Sequence, residues 1–178
     1  AAHHLKTGSA VLVTGSHNPP DYNGFKIMLG GDTLHSTAIT ALRTRIVEGR
    51  LAEGNGRITQ VDVRKDYLDR IVSDVKLSRK MKIVVDCGNG VAGAYAPTLF
   101  RRLGCDLVEL YCDVDGRVPN HHPDPTVPAN LDDLIAAVKT HGAELGLAFD
   151  GDGDRLGVVT ADGRIIEADR QLMLFARD

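Results

Sequence analysis

Apolar and polar residues alternate along the chain in two different periods. The apolar run from Ala10 to Thr14 is short and bounded by turn-forming residues, which predicts a buried strand. The run from Phe25 to Leu29 predicts a second strand, which Gly30-Gly31 ends. From about Ser36, apolar residues recur at helical spacing, and this period predicts a helix that stops near Gly49.

Beyond residue 61 the predicted strands and helices alternate regularly. Apolar positions between residues 63 and 75 predict a helix that leads into the second part of the chain. The sequence then predicts strands at 82–86, 106–110 and 145–149, separated by helices at 92–103 and 131–139. Asp162-Gly163, between two apolar runs, predicts a hairpin. We therefore expect a mixed, mostly parallel α/β fold with helices on both faces, in two consecutive units at 1–61 and 62–178.

Composition limits the possible partners. The chain has 178 residues, of which 43% are hydrophobic, so it can bury at least one sizeable core. Its net charge of −3 gives no electrostatic reason to expect nucleic acid or an anionic membrane as a partner. The three cysteines lack metal-type spacing and, being an odd number, fit a reducing compartment, which predicts the cytoplasm. No apolar run approaches the roughly 18 residues of a membrane helix.

The stretch TGSHNPPDYNGFK, residues 14–26, holds one serine in a bend rich in proline and turn formers. It follows a predicted strand directly, so the position of Ser16 is tied to the sheet. A hydroxyl in such a place ordinarily caps a turn, whereas a rigid loop also suits a side chain that must be aimed at a ligand. Taken by itself, Ser16 leaves both interpretations open.

The segment LGLAFDGDGDR carries three aspartates at every second position after an apolar strand. Asp150, Asp152 and Asp154 are separated by glycines that let the backbone curl, so that the three carboxylates converge. Oxygen ligands of this kind suit Mg²⁺, and a divalent cation relieves their mutual repulsion. An EF-hand does not fit, because its sixth and twelfth positions would be Arg155 and Ala161. The loop could also belong to a haloacid-dehalogenase-type phosphatase, although that class expects Thr or Val where Asp154 stands, or form an acidic solvated turn.

Three other motifs support weaker predictions. Adjacent histidines rarely chelate one ion, so His121-His122, followed by Pro-Asp-Pro, predicts a rigid loop more strongly than a metal clip. The CGNG sequence at 87–90 lacks the full dinucleotide-binding glycine pattern and predicts a tight turn into a helix. The cysteines are most simply small, buried apolar side chains.

The two loops, in this order and joined by a βαβαβ unit, resemble the α-D-phosphohexomutase superfamily, and most closely its bacterial phosphomannomutase/phosphoglucomutase group. Further matching segments are VVDCGNGVAG at 84–93, NHHPDPTVPANL at 120–131 and GLAFDGDGDRLGVV at 146–159. The resemblance runs from near residue 9 to the C-terminus. It implies a phosphoserine enzyme that interconverts hexose 1-phosphate and hexose 6-phosphate through a bisphosphorylated sugar.

The resemblance also implies roles for particular residues. Ser16 matches the phosphorylated serine, and Mg²⁺ would be held by one phosphate oxygen together with Asp150, Asp152 and Asp154. Arg155 and His17 match positions that line the site. Lys26 matches a lysine implied to act as general acid/base or charge clamp, whereas an outward-facing strand lysine would have no such role.

A complete member of the family has four domains, so the resemblance implies a piece that holds part of domain 1 and most of domain 2. The segments that recognise the sugar are then absent, and we expect little turnover from this chain alone. The implied partners are a phosphosugar and the missing domains of a monomeric parent. Glucose and mannose are the leading sugars, with glucosamine behind them. Two different functions stay open at this point: a Mg²⁺-dependent sugar phosphatase and a non-catalytic module that binds metal and phosphosugar.

Overall fold

The first of two compact units is a small antiparallel sheet with two helices. The computed structural model describes residues 1–19 and 21–177, and the first unit comprises residues 1–14 and 23–63. The strands β1 (Ala10–Thr14), β2 (Gly24–Leu29) and β3 (Asp32–Thr33) pair in that order, with Val11 opposite Ile27. The helices are α1 (Ala2–Leu5) and α2 (Thr37–Val47). Both predicted strands and the predicted helix are confirmed, whereas β3 was not predicted.

The prediction that the first strand is buried is wrong. Val11, Leu12 and Val13 are 61%, 52% and 60% exposed, and none of the described residues of this unit is buried. The physical reason is that α2, the longest helix of the unit, buries none of its residues. The described residues of this unit therefore provide no apolar layer that covers its strands.

The second unit comprises residues 15–22 and the chain from residue 64 onward, and it contains a five-stranded sheet. Its strands lie in the order β5-β4-β6-β7-β8. The elements in chain order are α3 (Arg64–Asp74), β4 (Lys82–Asp86), a 3₁₀ helix (Val91–Ala94), α4 (Ala96–Arg102), β5 (Asp106–Leu110), a 3₁₀ helix (Pro128–Leu131), α5 (Asp132–His141), β6 (Leu145–Phe149), β7 (Leu156–Thr160), β8 (Ile165–Ile166) and α6 (Ala168–Phe175).

The α/β fold class is confirmed, and the predicted βαβαβ unit forms its parallel part. β4 pairs in parallel with both β5 and β6, so Val84 lies between Val108 and Gly146. The remaining described pairings are antiparallel: β7 returns beside β6, and β8 follows through the predicted hairpin at Asp162-Gly163. Antiparallel pairing therefore has a larger share than the sequence predicted, because the chain returns beside the preceding strand through a turn or loop with no crossover helix.

Helices cover both faces of the second sheet, as predicted, because residues along β4 alternate between two apolar clusters. Val84 packs with Leu134 and Val138 of α5, and Val85 packs with Ala96 of α4 on the opposite face. Burying a large aliphatic side chain contributes about 1.5–3 kcal/mol, so these contacts make the second unit the stable part of the chain.

The predicted helix at 92–103 forms as two pieces. A 3₁₀ turn ends at Ala94, Tyr95 leaves the helical conformation with φ −126° and ψ −50°, and α4 follows with a proline in its first turn. Gly93 lies so close to the Cys112 backbone that an added Cβ would come within 2.0 Å of the Cys112 carbonyl oxygen. Close backbone packing at that glycine, followed by Pro97, therefore separates the two pieces.

The serine loop, residues 15–22, packs with the second unit, although it lies between two strands of the first unit in sequence. The predicted division at residue 61 placed this loop in the first unit. Apart from the loop, the chain divides between residues 63 and 64. Compact units of this kind are defined by packing, so the assignment of 1–61 and 62–178 to two domains of a family stays a prediction.

Candidate active site

The serine loop turns immediately after β1. Ser16 has φ +51°, a left-handed conformation, and the Asn18 N–H donates to the Gly15 carbonyl oxygen at 2.9 Å. The Tyr22 N–H donates to the Pro19 carbonyl oxygen, also at 2.9 Å. Pro20, which contributes to the predicted stiffness of the loop, lies outside the described residues. A non-glycine residue with positive φ needs support from its surroundings, and here the supporting contacts come from the acidic loop.

The acidic loop, residues 150–155, begins where β6 ends. Asp150 is fully buried, and its Oδ1 accepts the Arg155 backbone N–H at 3.0 Å. Gly153 has φ +77°, and its N–H donates to the Asp150 carbonyl oxygen at 3.0 Å, which curls the loop. One carboxylate oxygen from each of Asp150, Asp152 and Asp154 lies within 4.8 Å of the others. The predicted convergence of the three carboxylates is therefore present.

The Ser16 hydroxyl reaches this group of carboxylates. Ser16 Oγ lies 3.2 Å from Asp150 Oδ2 and 3.2 Å from Asp152 Oδ1. The His17 ring joins the same group, with Nδ1 at 3.2 Å from Ser16 Oγ. Because a serine hydroxyl carries only one proton, it donates to one of these acceptors at a time. The arrangement brings together a hydroxyl and several oxygen ligands with negative charge around one point.

Gly151 makes the two loops fit together. A Cβ at this position would lie 2.0 Å from the Ser16 carbonyl oxygen, a distance that real Cβ atoms essentially never show. The Gly151 N–H donates to the Pro123 carbonyl oxygen at 3.2 Å, and its carbonyl oxygen accepts the Val91 N–H at 3.0 Å. The peptide between Asp150 and Asp152 is thus held from two sides while the serine loop lies against it.

Arg155 extends the site with a cation. Its Nη1 lies 3.6 Å from Asp124 Oδ1, and its side chain is 41% exposed. Burial raises the pKa of Asp124, but hydrogen bonds from Thr126 and the charges of His17 and Arg155 outweigh burial and leave that pKa below its ordinary value. Asp124 therefore stays ionised and holds a negative charge beside the Arg155 guanidinium. A cavity of about 380 Å³, lined in part by Arg155, Leu156 and Gln171, opens next to it.

Lys26 lies on β2 in the first unit, opposite Leu12, with its side chain exposed. It is thus in a strand, as predicted. The role that the resemblance implies for this lysine stays a prediction.

The histidine pair behaves as the loop interpretation predicted. His121 Nε2 lies 2.9 Å from Asp86 Oδ2, and its Nδ1 lies 3.0 Å from the His122 carbonyl oxygen. The CGNG segment forms a turn that leads into the 3₁₀ helix at 91–94, also as predicted. All three cysteines are free, and Cys87 is fully buried whereas Cys105 and Cys112 are half-buried.

Sequence reasoning missed two carboxylates, Asp86 and Asp124. The position of Asp86 at the carboxyl end of a central parallel strand was a usable signal, because polar groups there face the ligand edge of such sheets. Asp124 lies between two prolines, and nothing local distinguishes it from an ordinary turn residue.

The acidic loop is chemically suited to a hard cation. Three carboxylates with oxygens this close repel one another unless a cation or protons compensate, and all of their donor atoms are oxygens. Asp152 is half-buried and Asp154 exposed, so the group opens toward solvent on one side. The residues therefore fit a divalent metal that keeps positions for an outside ligand.

Comparisons with known proteins match these features to one family. Residues 65–163 match the model for phosphoglucomutase/phosphomannomutase alpha/beta/alpha domain II, and residues 1–52 match the model for domain I. A phosphomannomutase/phosphoglucomutase of Pseudomonas aeruginosa is 59% identical over the whole chain, and a phosphoglucomutase of Neisseria meningitidis is 59% identical over 96% of it. The chain spans 38% of the length of each of these curated relatives.

A solved structure agrees with these sequence matches. A phosphoglucomutase/phosphomannomutase family protein from Burkholderia thailandensis superposes with a TM-score of 0.92 and is 60% identical, over 94% of this chain and 37% of that one. Among the described residues, no helix has the length and apolar character needed to cross a membrane.

Proposed function

Since the chain belongs to the phosphoglucomutase/phosphomannomutase family, we propose that its full-length parent is a phosphohexomutase. The reaction is a reversible transfer of a phosphoryl group between hexose 1-phosphate and hexose 6-phosphate, through a phosphoserine and a bisphosphorylated sugar. The substrate is a small phosphosugar, with glucose and mannose as the preferred sugars, in keeping with the names of the relatives.

The observation that carries this proposal is the position of the Ser16 hydroxyl, 3.2 Å from a carboxylate oxygen of both Asp150 and Asp152. A turn-capping serine has no need of two acidic groups that are more than 130 positions away in sequence. Acidic groups at this distance suit an oxygen that carries a phosphoryl group, because a cation held by the carboxylates also neutralises the charge of the phosphate.

In this proposal Ser16 is the residue that carries the phosphoryl group, with a charge of about −1.5 to −2 at neutral pH. Asp150, Asp152 and Asp154 hold Mg²⁺, which when bound supplies charge neutralisation to the phosphoryl oxygens. The His17 Nδ1, 3.2 Å from Ser16 Oγ, is close enough to accept the hydroxyl proton.

Two further cations complete the proposed machinery. Arg155 offers a planar guanidinium next to the acidic loop, which suits the equatorial oxygens of a phosphoryl group. Lys26 acts as general acid/base or as a charge clamp on the group in transfer. In the same proposal, residues 1–61 are the C-terminal part of the family's domain I, and residues 62–178 are its domain II.

The parent enzyme is, in this proposal, a cytoplasmic monomer whose other domains recognise the sugar. The chain of 178 residues therefore retains phosphoserine chemistry but converts little substrate. Assaying glucose 1-phosphate conversion by this chain and by a full-length parent tests that expectation, and equal rates would contradict it.

The decisive experiment measures protein phosphorylation by intact mass after incubation with a hexose 1,6-bisphosphate and Mg²⁺. We expect one phosphate on the wild-type chain and on Ser73→Ala, an exposed-serine control. We expect none on Ser16→Ala. If Ser16→Ala still hydrolyses a sugar phosphate while Asp150→Ala does not, the chain is a phosphatase with an aspartate nucleophile, and the mutase proposal is wrong.

A further inference from the structure

Asp86 is a fully buried carboxylate that the proposed chemistry does not use. It is the last residue of β4, and the alternation of side chains along the strand places it on the same face of the sheet as Val84. Its Oδ1 accepts the Gly88 N–H at 2.9 Å, and its Oδ2 lies 2.9 Å from His121 Nε2. Because an ionised carboxylate is costly to bury, its partner must supply charge as well as a hydrogen bond.

His121 has two acceptors, one for each ring nitrogen. Nε2 faces the Asp86 carboxylate and Nδ1 faces the His122 carbonyl oxygen, at 2.9 and 3.0 Å. A neutral imidazole has one N–H and satisfies only one of these acceptors, whereas the imidazolium donates to both. The geometry therefore favours a charged ring, in an ion pair of which Asp86 is wholly buried and His121 only 17% exposed.

The other groups near His121 support the same charge state. Besides Asp86 on β4, the Tyr111 ring lies edge-on at 5.3 Å, and the Tyr111 hydroxyl donates to Asp133 Oδ2 of α5 at 2.7 Å. The hydrogen bond with Asp86 raises the pKa of His121, burial opposes this in part, and the charge of Asp133 adds to the increase.

The Asp86–His121 pair joins the segment around residue 121 to the turn that follows β4. At the end of this turn, the Val91 N–H donates to the Gly151 carbonyl oxygen of the acidic loop. Pro123, two residues beyond His121, accepts the Gly151 N–H, and it also fills the space beside Gly88, where a Cβ would lie 2.9 Å from the Pro123 Cβ. Loss of the ion pair would release the segment that holds the Gly151 peptide. The spacing of Asp150 and Asp152, on either side of that peptide, would then change.

We propose that His121 is a positioning residue: its imidazolium, paired with Asp86, fixes the 121–124 segment against the acidic loop and so sets the affinity of the chain for Mg²⁺. This inference rests on the proposed Mg²⁺ site. His121 does not touch the metal ligands and acts through the backbone contact of Pro123 with Gly151.

The first test measures Mg²⁺ binding to the 178-residue chain by calorimetry at several pH values. At pH 7, His121→Ala weakens binding about tenfold, in the range found when a group that orients metal ligands is removed. His121→Gln keeps one donor but no charge and is intermediate, whereas His122→Gln, a change at the adjacent exposed histidine, binds like wild type. Wild-type affinity falls as pH rises through the pKa of His121, and this fall is absent in His121→Gln.

A second measurement needs no variant and so does not depend on how well a variant folds. Nitrogen-detected histidine NMR of the wild-type chain shows His121 with both ring nitrogens protonated at pH 7. By linkage, saturating Mg²⁺ raises the His121 pKa, because the form that binds Mg²⁺ tightly is the protonated one. Direct charge repulsion from the ion would lower that pKa, so the sign of the shift distinguishes the two effects.

The outcomes separate this inference from the proposed function. If the wild-type chain binds no Mg²⁺, both the metal site and the role of His121 are wrong. If the chain binds Mg²⁺ but His121→Ala and wild type have equal affinities at all pH values, only the positioning role is wrong. A neutral His121 ring at pH 7, or a pKa that Mg²⁺ lowers or leaves unchanged, also overturns the positioning role.

Discussion

Replacing Gly151 with alanine tests whether the contact between the two loops builds the site. The added Cβ would lie 2.0 Å from the Ser16 carbonyl oxygen and 2.9 Å from its carbonyl carbon. Both are backbone atoms, so no side-chain rotation relieves the overlap. Real Cβ atoms essentially never come within 3.0 Å of another atom, so the serine loop must move away by about 1 Å.

A movement of that size separates Ser16 from the carboxylates. Its hydroxyl bonds to Asp150 and Asp152 are 3.2 Å long, so about 1 Å of extra separation exceeds hydrogen-bonding distance. Overpacking costs roughly 1–3 kcal/mol, and a lost hydrogen bond adds about 1 kcal/mol. We expect Gly151→Ala to reduce the free energy of unfolding by about 2–4 kcal/mol and to abolish phosphorylation of Ser16.

The assay combines urea unfolding, followed by circular dichroism, with the intact-mass measurement of phosphate. Gly116→Ala is the matched control, because it adds the same methyl group in the second unit where no atom lies within 4 Å and φ is not positive. The reasoning is refuted if Gly151→Ala is as stable as Gly116→Ala and is phosphorylated to the same extent as wild type.

Three further predictions concern stability and reactivity. Leu134→Ala, in the core, lowers the free energy of unfolding by about 2–5 kcal/mol, whereas Leu174→Ala, at an exposed position, changes it by less than about 0.5 kcal/mol; urea titration measures both. Because the pKa of His121 is raised in the folded state, its ion pair with Asp86 stabilises the fold fully below pH 6.5, the ordinary histidine value. This stabilisation is lost as pH rises through the folded-state pKa of His121. We therefore expect Tm to fall more between pH 6 and 8 in wild type than in His121→Gln. A hydrogen bond with the neighbouring Cys112 thiol, together with burial, raises the pKa of Cys87, so little of its reactive thiolate is present. An aromatic disulfide reagent is therefore expected to modify fewer than three thiols quickly in the native chain and all three in denaturant.

Local pattern was sufficient for the central strands of the second unit. The predicted bounds 82–86, 106–110 and 145–149 are those of β4, β5 and β6, because each is a short apolar run between a glycine or charged segment and a turn. The convergence of Asp150, Asp152 and Asp154 was also predictable, since glycines between alternate carboxylates act over only a few residues.

Other features depended on contacts between distant parts of the chain. The break at Tyr95 arises where Gly93 meets the Cys112 backbone, and the exposure of Val11 depends on the absence of an apolar layer over its strand within the first unit's described residues. The spacing of apolar residues along the chain indicates neither the contact of Gly93 with Cys112 nor what covers the strand of Val11. The single-sequence pattern therefore predicted where elements lie more accurately than how deeply they are buried.

The sequence by itself determined the α/β class, the order of the elements and the chemistry that each loop can offer. Only the tertiary structure decided that the serine loop packs with the second unit, that Ser16 meets Asp150, and that Asp86 pairs with His121. The physical reason is range: turn and strand preferences act between near neighbours, whereas these partners are 35 to 134 positions apart and meet only when the sheet and its loops have packed.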